Sequence, residues 1–191
     1  MTTNRQEVIL EQAMELIIEN GLGELTMSKV ARRMGFTEPA MYRHFKNKQD
    51  LVISLIQKVS GCFEELFQQF NQDEPPEIFL PKYFDGLLDY LEKVQGVTIL
   101  FLSESAFNRD QVTREALQKM FQSQNGRIAG YLEKAAARGE ILPHIDTAAA
   151  ALVFLGSAQA ITTRYLLSSQ KISTLTARGP ALDIFLKGVV G

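Results

Sequence analysis

Hydrophobic positions along the chain recur at intervals of three and four, the spacing that gathers side chains on one face of a helix. From Arg5 to Asn20 the stripe is Ile9, Ala13, Leu16 and Ile17, and the Asn20-Gly21 pair ends it. Two short patterns then follow one another between Thr26 and Lys48, TMSKVARRMGFTEPAMYRHFKNK. Met27, Val30, Ala31 and Met34 form the first stripe, with Thr26 as N-cap and Gly35 as the residue that stops the helix. Lys29, Arg32 and Arg33 lie opposite, a row of cations facing water. Thr37 is the cap of the second pattern, and Pro39 falls in its first turn, where a missing N–H costs little because that donor has no helical partner anyway. This second helix is predicted from about Glu38 to Phe45. Met41 and Phe45 share its core side, about 40° apart around the axis, while Pro39, Ala40, Tyr42 and Arg43 spread over the far side.

The period continues from Lys48 to about Phe70 as one long helix, with Leu51, Leu55, Val59, Phe63, Leu66 and Phe70 on its inner face. The run NQDEPP, Asn71 to Pro76, is a surface loop. Glu77 to Gln95 is helical in period but contains Pro81, which predicts a start or a kink there, and Gly96 stops it. Val97 to Phe107 is a short, very apolar helix, expected to be nearly enclosed. Arg109 to Arg138 is long and amphipathic, interrupted in pattern at Asn125-Gly126 and closed by Gly139. Leu142-Pro143 turns the chain toward Asp146, a good cap. In Asp146 to Ser168, the small residues Ala148 to Ala151, Gly156, Ala158 and Ala160 permit close approach of another helix, flanked by Leu152, Phe154, Leu155 and Ile161. With Ala181 to Val190 as a last apolar helix, this reads either as an intrachain core or as half of a four-helix bundle completed by a second copy. The fold class is therefore all-α: a three-helix head over residues 1–48, then a helical bundle over residues 49–191.

Composition changes this picture little. A 191-residue chain that is 46% hydrophobic and 22% charged can bury a real core. The single Cys62 excludes an internal disulfide and fits a reducing cytoplasm, with a small buried hydrophobe as its ordinary role. Met1 to Gln6 is polar, no targeting segment is apparent, and no apolar run is read as approaching a membrane span. No catalytic residue, metal site or cofactor is predicted. His44 and His144 are far apart and stand beside no cysteine or carboxylate cluster, and neither a phosphate-cradling glycine loop nor a nucleophile elbow is present. Carboxylates such as Asp85 and Asp89, or Glu64 and Glu65, read as solvated helix faces.

Charge does change it. The chain carries a net charge of −2, yet Lys29, Arg32, Arg33, Arg43, Lys46 and Lys48 are opposed between positions 29 and 48 only by Glu38. Two short helices joined by a glycine-containing turn are either ordinary bundle helices or a helix-turn-helix, and this local excess of cations favours the latter, with double-stranded DNA as partner.

The run YRHFKNK, the AxxxG turn, the preceding LT and the proline two residues before the Met41-Tyr42 pair resemble the tetracycline-repressor (TetR) family of bacterial transcription regulators. The resemblance covers roughly Val8 to Ile56. It implies that Tyr42, His44 and Lys48 contact phosphates, and a phenol, an imidazole, a lysine and a helix N-terminus are all suitable donors. Pro39, Ala40 and Arg43 occupy positions that reach base edges, where Arg43 can pair with guanine. Glu38 can accept from cytosine or simply favour the helix dipole. Lys29 and Thr37 complete the candidate DNA-binding set. Some family members read a base early in the first helix of the motif, where this chain has Met27 and Ser28. The resemblance further implies a homodimer through Asp146–Ser168 and Ala181–Val190, and a small-molecule effector that releases DNA. Phe84, Phe101, Ser105, Phe121, Gln159 and Thr162 are the candidate pocket residues, although aromatic residues at helical spacing more often form core. A DNA-binding adaptor that contacts a protein instead of a small ligand is the alternative.

Overall fold

The computed structural model describes residues 2–95, 97–98, 101, 110–168 and 175–190, and among them only helices and their connections occur. In chain order these are α1 (Thr2–Asn20), a single 3-10 turn (Leu22–Glu24), α2 (Met27–Arg33), α3 (Glu38–Met41), α4 (Lys48–Gln68), α5 (Pro76–Lys93), α6 (Gln111–Ala137), α7 (Thr147–Leu167) and α8 (Leu175–Val189). The expected helix over Val97 to Phe107 lies almost wholly outside the described residues; of its members, Val97, Thr98 and Phe101 are helical and buried.

Two compact units divide the chain. The first comprises Met1–Ser60 and Val97–Met120, the second Gly61–Gly96 and Phe121–Gly191.

The head of the first unit assembles around Ile9, Ala13 and Ile17 of α1, Val30 and Ala31 of α2, Met41, Phe45, and Leu51 and Leu55 of α4, all nearly inaccessible to solvent. Its turns follow from local chemistry. Gly21 (φ 85°) leaves α1 in the left-handed region that a side chain disfavours. Thr26 Oγ1 accepts from the Lys29 N–H, satisfying an orphan donor of α2. At the other end Gly35 (φ 68°) donates to the Arg32 carbonyl while Phe36 donates to that of Ala31, the paired bonds of a Schellman motif. The second helix is shorter than predicted. The regular helix ends at Met41; Arg43 and His44 donate to the carbonyls three residues back and Phe45 to that of Met41, so Tyr42 to His44 forms tight turns that still carry Phe45 into the core. Asn47 Oδ1 then accepts from the Asp50 N–H and Asp50 Oδ2 from the Lys46 N–H, a reciprocal cap on α4.

In the second unit α5 packs against α7 and α8, and α7 against α8. Pro81 neither begins nor interrupts α5 as assigned; the helix starts at Pro76, after Pro75, because the donor lost at Pro81 would have met only the carbonyl of exposed Glu77 in the first turns. It ends at Lys93, with Gln95 (φ 46°) taking the left-handed position expected of Gly96. α6 runs unbroken through Asn125-Gly126, so no interruption occurs there, and closes at Gly139 (φ 75°) with a second Schellman pair. α8 begins six residues before Ala181 and includes Pro180.

The reading of apolar run lengths needs correction: α7 is long and apolar enough, by length and composition, to cross a membrane. Its hydrophobicity has a packing use, since Ala150, Ala151, Phe154, Ala158, Ile161 and Thr162 are buried within the unit. Phe154 meets Phe84, Tyr83 and Phe185 at ring centroid distances of 5.1, 6.2 and 5.3 Å. Asp146 Oδ1 accepts from the Ala149 N–H at 3.0 Å and caps the helix. Asp146→Ala is expected to lower stability by about 1 kcal/mol in urea denaturation, with an unchanged dependence on urea concentration.

Candidate nucleic-acid interface

The turn that follows α3 separates two kinds of side chain. Met41 and Phe45 are 0% and 4% exposed, whereas Tyr42, between them and Arg43, is 50% exposed. Pro39 and Arg43 are exposed beside it and Ala40 is half-buried. Together they form the outward side of the turn. It is held from behind by α1, because Gln6 Nε2 donates to the His44 carbonyl at 3.1 Å. Tyr42 donates to Glu38 Oε1 at 3.4 Å, a long bond that ties the two ends of α3.

The cations are not equally available. Arg33 was expected to face water, but α1 packs beside α2 and brings Glu19 to it. Arg33 Nη1 and Nη2 donate to the two Glu19 oxygens at 2.7 and 2.5 Å, and Nε donates to Gln12 Oε1 at 3.2 Å. This bidentate fork staples the two helices and leaves Arg33 half-buried. Lys29 pairs with Glu24 in the preceding turn. Arg32, Arg43 and Lys46 are exposed. The hydrogen bond from Arg33, with its charge, holds the Glu19 carboxyl below its ordinary value of 4.5. A carboxylate so depressed contributes stability above that value and loses it as pH falls. The urea midpoint should therefore fall on acidification through and below pH 4.5 more steeply for the natural chain than for Glu19→Gln.

Residues 9–55 match the family model for bacterial regulatory proteins of the tetR family, and this is the stretch that holds α2, α3 and the exposed turn. Over these residues the chain carries the DNA-binding head of the TetR family. It is a DNA-binding transcriptional regulator with a helix-turn-helix head and an all-α body. It is 26% identical over 186 residues to the fatty acid metabolism regulator protein of Bacillus subtilis, covering 95% of this chain and 93% of that one. It is also 25% identical over 174 residues to the nucleoid occlusion factor SlmA of Vibrio cholerae, covering 88% and 87% respectively. Among solved structures, the regulator FadR from Bacillus subtilis in complex with stearoyl-CoA superposes with a TM-score of 0.78 at 22% identity, over 94% of this chain and 97% of that one. That likeness is one of fold.

On this TetR-family frame the remaining candidates are distributed as follows. Thr37 precedes α3 with an exposed side chain that makes no capping bond, and His44 is half-buried. Lys48 opens α4 and is half-buried. Of the pocket candidates, Phe84 and Thr162 are fully buried, and Gln159 and Phe121 half-buried, in the second unit. Thr162 Oγ1 donates to the Ala158 carbonyl of its own helix, so its hydroxyl is already used. Phe101 belongs to the first unit, and Ser105 lies outside the described residues. Sequence reasoning missed Gln6 as a clamp. It also missed Gln49, whose Nε2 donates to Asp110 Oδ1 at 2.8 Å while Asp110 caps Val112 and Thr113 at the start of α6. Neither leaves a signal in periodicity, because both are exposed polar residues whose partners lie 38 and 61 positions away.

Proposed function

We propose that the protein is a homodimeric repressor that binds a pseudo-palindromic operator in the cytoplasm and is released by an apolar, acyl-bearing small molecule. The observation that carries the DNA half of this reading is the division at the turn after α3, with Met41 and Phe45 buried and Tyr42 and Arg43 outward. Pro39, Ala40 and Arg43 would meet base edges in the major groove, with Glu38 at its rim. Thr37, Tyr42, His44 and Lys48 would hold phosphates, with Lys29 joining them by exchanging its pair with Glu24 for the backbone. Residues 1–48 then act as the reader and residues 49–191 as the part that dimerises and senses. The reaction class is binding, with no catalysis.

Dimerisation is supported by an apolar stripe on α7 that the single chain leaves open. Ala149, Leu152, Val153, Gly156, Ala160 and Leu167 are exposed, and Ile184 of α8 is 75% exposed. The small residues permit close approach and the large ones supply area, which suits a second copy in a symmetric four-helix packing. The acyl effector is supported by similarity to a fatty acid metabolism regulator along nearly the whole chain. To release DNA, the effector must favour the conformation that does not fit the operator, since equal affinity for both would shift nothing. Similarity to a nucleoid occlusion factor supports a second reading, an adaptor that binds DNA and a protein. The test is to isolate bound sites from fragmented genomic DNA and add acyl-CoAs of increasing chain length. Release at micromolar concentration supports the repressor, and binding indifferent to every acyl compound favours the adaptor.

A further inference from the structure

The interior of the second unit holds buried polar atoms of α6 without hydrogen-bond partners, the acceptor Asn125 Oδ1 and, to either side of it in sequence, two donors. Gln124 begins a buried stripe of α6 that continues through Ile128, Tyr131, Leu132 and Ala135; it is 7% exposed and its Nε2 has no partner. One turn further on, Arg127 Nη2 donates to Glu64 Oε2 at 2.8 Å, while Arg127 Nη1 is buried with no partner. Residues three apart neighbour one another on a helix, so these two unmatched donors issue from one side of α6. Buried donors without acceptors are rare in folded chains because they forfeit their hydration and gain nothing in return. Two together mark a place where an acceptor from outside the chain belongs.

The surroundings narrow the chemistry. Tyr131, one turn beyond Arg127 on α6, stacks on Phe79 at a centroid distance of 4.1 Å, and Phe79 stacks in turn on the buried Tyr83. The Tyr83 ring contacts Phe67, Phe79 and Phe154 at centroid distances of 5.5, 5.9 and 6.2 Å, so the donors border an aromatic, apolar region. Glu64 already neutralises the Arg127 guanidinium, and a second full negative charge would meet that carboxylate across the same group. A neutral oxygen acceptor meets no such opposition.

We infer that Gln124 and Arg127 receive the carbonyl oxygen of a neutral acyl group, an ester or thioester, whose hydrocarbon chain lies against the aromatic residues of the same unit. This rests on the acyl-effector reading above. The test uses the full chain, calorimetric titration with stearoyl-CoA, CoA alone, methyl laurate and laurate, and the variants Gln124→Met and Arg127→Met. For the natural chain, methyl laurate binds more tightly than laurate, and CoA alone binds weakly. Each variant loses about tenfold or more in affinity for stearoyl-CoA. Without ligand, Gln124→Met melts at or above the natural chain, since it removes an unmatched donor where a structural role would make it melt lower. Undiminished affinity for stearoyl-CoA in both variants overturns the inference and assigns the donors to water, leaving the effector reading intact. Tighter binding of laurate than of methyl laurate overturns the neutral-carbonyl assignment. No acyl ligand binding to the natural chain overturns the effector reading itself, and this inference with it. Should Gln124→Met fail to fold, Arg127→Met, whose partner Glu64 is half exposed, decides the matter alone.

Discussion

Arg43→Ala is expected to weaken operator binding by about 1–3 kcal/mol per half-site, hence about 30-fold to 20,000-fold for a two-headed complex, while leaving affinity for random DNA nearly unchanged. The reason is geometric. Met41 and Phe45 are fixed in the head's core, so Arg43, on the other side of the turn, projects away from the protein. A guanidinium there can offer two parallel donors to the O6 and N7 of one guanine, and no other base presents that pair of acceptors in the major groove. Arg43→Lys keeps the charge and loses the fork, so it should retain nonspecific affinity and still relax sequence preference. Lys48→Ala supplies the contrast. It should weaken operator and random DNA alike and reduce the slope of log K against log salt by about one unit per head, because a phosphate contact releases counterions without reading a base. These effects are measurable by fluorescence anisotropy over a salt series. Equal losses on both DNAs for both substitutions would show that the division of labour between these residues is wrong.

Val153→Asp is expected to convert the dimer to a folded monomer and to lower operator affinity by about 100-fold to 10,000-fold. In the single chain Leu152 and Val153 are 63% and 61% exposed, beside Gly156 and Ala160 on the same stripe. A carboxylate at position 153 costs the isolated chain little, since it stays in water. In a two-fold interface the two copies bring like charges into an apolar contact, where neither is hydrated nor paired. The loss of DNA affinity follows from linkage alone: one head binds a half-site, and the second is no longer held near the other. Light scattering coupled to gel filtration reads the mass, and far-ultraviolet circular dichroism reports whether the helices remain. Ile78→Asp on α5, which is 45% exposed and lies away from that stripe in sequence, is the control and should leave mass and affinity unchanged. A Val153→Asp chain that remains dimeric would move the interface elsewhere.

Much of the fold was legible because its determinants are local. Thr26 and Asp146 cap the helices they precede, and Gly21, Gly35 and Gly139 take the left-handed backbone that ends a helix. The spacing of Met41 and Phe45 was enough to turn Tyr42 and Arg43 outward, even though the helix between them gives way to tight turns after Met41. What sequence could not tell depended on neighbours distant along the chain. Arg33 looks like any surface cation until α1 brings Glu19 to it, 14 positions away. Pro81 looks like a helix start, yet packing of α5 against α7 and α8 carries the helix through it. Gln124 sits at a core register of α6 that periodicity could have flagged, but its missing partner is visible only in three dimensions.

The most direct measurement is the number of chains on one bound genomic fragment, by light scattering of the complex, together with the footprint at low salt. Two chains per site, or a multiple of two, are expected, protecting two inverted half-sites about 34–36 Å apart and losing the footprint in Arg43→Ala. A single chain on an asymmetric site, or no protection of any fragment at low salt, would contradict the claim that the Tyr42–Arg43 surface is presented in symmetric pairs to DNA.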